Sequence, residues 1–194
     1  MRTHLALLAG VLALTAACAT RDADQATTTD SAAGTSAAAP APAKPALDDP
    51  TIVAIFDGAN SADIETGQLA VERGSTKEVR DFGAMLARDH RNVQQQGRDL
   101  AQRLGVTPTP PVDDASAKAH ADAMAMLRTK SGADFDRAFL DHEVKFHQAV
   151  IDAVNQTLLP AIQNQELRSL VVAVAPAFDA HRIAAANMRA KLGN

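Results

Sequence analysis

From Ile52 to the C-terminus, apolar residues recur in steps of three and four, the period of helices that bury one face. No stretch shows the apolar–polar alternation of a strand. The first helix is expected over about Pro50 to Arg73, with Asp48 or Asp49 as cap and Pro50 in the first turn. Its apolar stripe reads Ile52, Ile55, Phe56, Ala59, Ala62, Leu69 and Ala70, with Glu65 at the margin. Gly74-Ser75 ends it, and Ser75 or Thr76 can cap the next. The second helix, about Thr76 to Leu104, has the clearest seam: Val79, Gly83, Leu86, His90, Val93, Gly97, Leu100 and Leu104.

Gly105 closes that helix, and "VTPTPPVDD" is a Pro-rich loop. A short helix is expected from Asp114 to Lys130, with Ala117, Ala121, Met124 and Leu127 on one face and His120 at its edge. "SGAD" breaks it. A long helix follows from about Ala133 to Leu159, with the seam Asp136, Leu140, Glu143, His147, Val150 and Val154. Pro160 should end this helix. The last helix carries Leu167, Leu170, Val174, Phe178, His181, Ala185, Met188 and Leu192, and Pro176 should kink or restart it. Four amphipathic helices, with a short fifth in one longer crossover, predict an all-α bundle over residues 50–194.

Polar residues on these seams change the picture. Three long helices each place one histidine among apolar positions, and Glu143 lies one turn from His147, so both point the same way. Burying such groups without partners is costly. One reading is a metal site at the bundle axis, with His90, Glu143, His147 and His181 as ligands, Glu65 as a further ligand and Asp89 behind them. Imidazole and carboxylate suit Fe, Zn, Mn or Cu. The other reading is a hydrogen-bonded network of neutral histidines with Glu143 and Glu65 that fixes helix register. His120 and His142 are read as surface or margin residues.

Composition narrows the function classes. Hydrophobic residues make up 46% of the 194, with six Phe and neither Trp nor Tyr. The formal charge of -4 is mixed, without a cluster of Lys or Arg, which argues against nucleic acid as a partner. The single cysteine, Cys18, excludes an internal disulfide and a Cys-rich metal site. No Gly-x-Ser-x-Gly elbow or phosphate-binding loop occurs, so hydrolase and nucleotide chemistry are not expected and no catalytic residue is assigned.

The N-terminal "MRTHLALLAGVLALTAACAT" has a basic Arg2, a short apolar run from Leu5 to Leu14, and small residues up to Cys18. It resembles a bacterial lipoprotein signal over residues 1–17, with Cys18 lipidated after cleavage. Thr15 departs from the Leu usual three positions before the cysteine. Ala17-Cys18-Ala19 also fits ordinary secretory cleavage. Both imply export, to the periplasm as an outer-membrane-anchored lipoprotein or to a secreted soluble form. Residues 18–49 are rich in Ala, Thr, Ser and Pro, and poor in large apolar residues, so they read as a disordered tether.

Four segments, "FDGANSADIETGQLA", "VRDFGAMLARDH", "FDRAFLDHEVKFH" and "APAFDAH", resemble the bacterial family called domain of unknown function 4142. The resemblance covers Ile52 to about Met188. It implies an exported, ferritin-like antiparallel four-helix bundle and brings no reaction with it. Asp89-His90, His147 and His181 carry the match, and Glu65 matches the family's first-helix glutamate. Ferritin-type di-iron centres use Glu-x-x-His pairs, which the bundle helices lack, so that centre is not expected. Three functions remain open: a tethered metal-handling bundle tied to metal or oxidative stress; a non-enzymatic envelope protein with a structural polar centre and an unidentified protein partner; and a redox enzyme using the same site.

Overall fold

The structure is a computed structural model that describes residues 47–193. The expected signal, the lipidation site Cys18 and nearly all of the expected tether lie outside the described residues.

Four long helices carry the fold: α1 (Asp49–Arg73), α2 (Lys77–Leu104), α4 (Gly132–Ala153) and α5 (Gln165–Lys191). The short α3 (Ala115–Arg128) lies in the crossover between α2 and α4. Their ends follow local chemistry. The Asp48 carboxylate accepts from the Thr51 amide to start α1, and the Thr76 hydroxyl accepts from Val79 to start α2. Gly105 ends α2 with φ of 65°, a left-handed conformation that favours glycine.

α1 and α2 form one antiparallel hairpin, and α4 and α5 form another. The hairpins face each other, α1 against α4 and α2 against α5. This is the expected all-α, ferritin-like four-helix bundle with an extra helix in its crossover. Each hairpin holds the turn of the other. The buried Asp136 carboxylate of α4 accepts from Ser75 N at 2.8 Å, Ser75 Oγ at 2.6 Å and Thr76 N at 3.2 Å. At the opposite end, Asp49 of α1 accepts from the amides of Gln163 and Asn164 at 2.9 and 2.8 Å.

Two apolar clusters fill the ends of the bundle. One gathers Ile52, Phe56, Leu100, Val154, Leu167 and Phe178. The other gathers Leu69, Val79, Leu86, Leu127, Phe135 and Phe139. Within the first hairpin the backbones approach closely: a Cβ on Gly67 would meet the Gly83 carbonyl oxygen at 2.6 Å. Only glycine permits that crossing.

Two expectations need correction. The helix beginning at Gly132 does not stop at Pro160. It continues through a π-helical turn, Val154–Leu158, and a last turn, Leu159–Ala161. Pro160 has no N–H to bond one turn back, and the wider turn accommodates that loss. Of the two outcomes expected at Pro176, a kink or a new start, α5 does not restart there. In α3 only Met124 and Leu127 are buried, while Ala117 and Ala121 are exposed, because its first half stands off the bundle.

Candidate metal centre

A polar layer separates the two apolar clusters. Asn60 and Asp63 come from α1, His90 from α2, Glu143 and His147 from α4, and His181 from α5; all are buried. Each lies near the middle of its helix, so the four helices deliver them to one level. The three imidazoles form a near-regular triangle, with ring centroids 5.6 Å (His90–His147), 5.3 Å (His90–His181) and 5.4 Å (His147–His181) apart. Phe178 stacks on His90 at 5.6 Å and walls one side.

Hydrogen bonds on the outer side of each ring fix its tautomer. Asn60 donates its amide to the Phe56 carbonyl at 2.8 Å, which leaves Asn60 Oδ1 as an acceptor. His90 Nδ1–H donates to that oxygen at 2.9 Å, which leaves His90 Nε2 facing the interior. His147 Nδ1–H donates to the Glu143 carbonyl at 3.0 Å, so its Nε2 likewise faces the interior. His181 Nε2–H faces Asp89 Oδ2 at 3.3 Å, leaving Nδ1 inward and bare.

The bare atoms converge. Asp63 Oδ2 lies 2.8 Å from His90 Nε2 and 3.2 Å from His147 Nε2. These three atoms, both Glu143 carboxyl oxygens and His181 Nδ1 are buried without a hydrogen-bond partner. Acceptors facing acceptors in a buried layer repel unless a proton, a water or a cation sits among them. Donor atoms of His90, His147 and His181 all lie within 4.8 Å of one another, as do those of Asp63, Glu143 and His147. Ligands about 2 Å from one ion lie at most about 4 Å apart, as Asp63 Oδ2 does from the Nε2 atoms of His90 and His147.

The electrostatics of the layer follow from burial and from close charges. Burial pushes His147 down to about 4, because an imidazolium there would lack water. Burial and the neighbouring His90 lower His181 as well. Burial works to raise Asp63, yet the hydrogen-bonding contact with His90 and the charges of His147 and His90 hold it well below the usual carboxylate range. Glu143 is raised well above its ordinary value by burial and then by the Asp63 charge. Asp63 is therefore the ionised carboxylate of the pair.

The sequence-predicted residues divide cleanly. His90, Glu143, His147 and His181 meet in this layer, and Asp89 lies behind His181 as expected. Glu65 does not join them. It is exposed on α1 and faces His120 Nε2 at 3.0 Å, because its helical register points it outward toward α3. Asp63, two residues earlier, takes the inward position. Asp63 and Asn60 were both missed by sequence reasoning. His120 and His142 are half-buried margin residues, as expected.

A family model described as Domain of unknown function (DUF4142) matches residues 33–188. The chain belongs to the DUF4142 family. A comparison with curated proteins finds no match for this DUF4142 chain. Among solved structures it is similar to a DUF305 fragment from Deinococcus radiodurans, with TM-score 0.65 and 17% identity, covering 73% of this chain and 95% of that one. It is also similar to CopM in the Cu(II)-bound form, with TM-score 0.56 and 16% identity over 75% of this chain and 98% of that one. The apo form of CopM gives TM-score 0.59 and 15% identity over 76% and 100%. At these identities, the likeness places the DUF4142 bundle in a shared fold.

Proposed function

We propose that the DUF4142 bundle binds one transition-metal ion in its polar layer, held by His90 Nε2, His147 Nε2, His181 Nδ1 and Asp63 Oδ2, with Glu143 beside them. One observation carries this reading: the inward nitrogens of His90 and His147 converge on a single Asp63 carboxylate oxygen, at 2.8 and 3.2 Å, with His181 grouped beside them. Asn60, Asp89 and the Glu143 carbonyl orient the rings from behind, as outer partners of metal-bound histidines do. An all-nitrogen-and-oxygen donor set suits Zn, Fe, Mn or Cu(II), and the Cu(II)-bound form of CopM in a similar fold supports copper among them.

The protein would act as a metal-binding or metal-handling module of the cell envelope. Export rests on the resemblance of residues 1–17 to a lipoprotein signal, with the membrane as partner through a lipid on Cys18. Intact-mass analysis of the mature N-terminal peptide tests the anchor, since a lipid adds a defined mass to Cys18.

The 2.8 Å contact between His90 and Asp63 favours a second reading, in which a proton on His90 supplies the positive charge and the layer is purely structural. Elemental analysis of untagged protein decides between them. Near-stoichiometric metal, lost in His147→Ala, supports the site. Protein without metal that also takes none up from Zn, Cu, Fe or Mn solutions sinks it.

A further inference from the structure

Packing fails locally beside the polar layer. A cavity of about 60 Å³ lies mainly between α1 and α4, and its inner end reaches Asn60, Asp63, His90 and His147. Every other lining residue is apolar, including Ile55, Ala59, Phe146, Val150, Val154 and Leu158. Ala59 is half-buried and Ala153 exposed, so the outer end lies near solvent. The π-helical turn Val154–Leu158 forms part of the wall.

The lining restricts what can be held there. No Lys or Arg borders the cavity, so an anion would find no counter-charge. Water in an interior needs two to four polar partners. The apolar walls supply none, and the inner lone pairs would be committed to the ion. The volume is about two water molecules' share of liquid, which excludes an organic substrate. A small, uncharged, apolar molecule satisfies all three limits.

We propose that this cavity binds a gas molecule of the size and polarity of dioxygen, held against the residues of the metal centre. The proposal rests on the metal reading, because without the ion the unpartnered Asp63 Oδ2, His90 Nε2 and His147 Nε2 at the inner end could hold water.

The test uses the full chain, both metal-free and loaded with redox-inert Zn(II). Methyl relaxation is compared under dioxygen and nitrogen pressure, with paramagnetic dioxygen as the probe. Val154 and Leu158, which line the cavity, should relax several-fold faster under dioxygen than the buried Leu127 and Leu140 of the other core cluster. Ala59→Phe should abolish the difference by filling the space. Ala153→Phe, at an exposed position where folding is not at stake, should reduce it. In the Zn(II)-loaded sample, equal relaxation of Val154 and Leu158 on one side and Leu127 and Leu140 on the other, or an undiminished effect in folded Ala59→Phe and Ala153→Phe proteins, would overturn the proposal. Failure of calorimetry to detect Zn(II) uptake would sink the metal reading and the gas proposal together, whereas Zn(II) uptake without the faster relaxation sinks the gas proposal alone.

Discussion

Replacing Asp63 by Asn separates the two readings of the polar layer by the sign of its effect. The carboxylate is fully buried, with Oδ2 at 2.8 Å from one imidazole Nε2 and 3.2 Å from another. Asparagine keeps the shape and can turn an N–H toward either lone pair. In metal-free protein with neutral histidines, the substitution replaces a repulsion by a hydrogen bond worth about 1 kcal/mol. The metal-free variant should therefore match or exceed wild type in stability. Metal affinity should fall by at least about tenfold, or about 1.4 kcal/mol, because an amide oxygen is a poorer ligand than a carboxylate. If a protonated His90 supplies the charge instead, the variant strands a buried cation at a cost of roughly 3–5 kcal/mol. Urea denaturation after chelation, paired with calorimetric metal titration, measures both quantities. A large loss of stability with unchanged metal affinity would refute the metal site.

Other outcomes follow from the same geometry. In metal-free protein, His147 stays neutral down to about pH 4 in the folded chain but takes up a proton near 6.5 when unfolded. Its contribution is fully present above pH 6.5 and is lost as pH falls toward 4, a change of about 3 kcal/mol. Glu143 works oppositely, since its raised value favours the fold at low pH, so Glu143→Gln should steepen the acid loss seen by denaturation across that window. Asp89→Ala releases the His181 tautomer and should weaken metal binding ~10–100-fold by titration, with melting of the metal-free protein little changed. Glu65→Gln, on the surface, should leave metal affinity at the wild-type value. Gly83→Ala pushes a methyl to 2.5 Å from the Gly67 carbonyl oxygen and should cost ~1–3 kcal/mol in denaturation midpoint.

The long helices were legible because their caps and breakers are local. Asp48, Thr76 and Gly105 act within a few residues of themselves. Three of the layer's imidazoles were legible because a histidine among apolar seam positions stands out. Asp63 did not stand out. The apolar stripe of α1 was traced through hydrophobic residues alone, and its true inner row is Phe56, Asn60, Asp63, Gly67 and Ala70. Those steps of four, three, four and three match the seam of α2, so the signal was present. It was masked because the row is polar or small at its middle, where the layer needs a carboxylate. The cavity and the tautomers depend on distances between helices, which no single-helix pattern contains. The continuation past Pro160 was hidden because a proline reads as a stop, whereas a π turn bypasses it.

The crossed anchoring by Asp136 and Asp49 has a mechanical corollary. Sliding one hairpin along the other by a single helical turn, about 5.4 Å, would unlatch both extremities together. No intermediate alignment keeps either latch closed. The inter-hairpin alignment is thus all-or-none, and the ring triangle at mid-height inherits its geometry from two acidic hooks that never touch it.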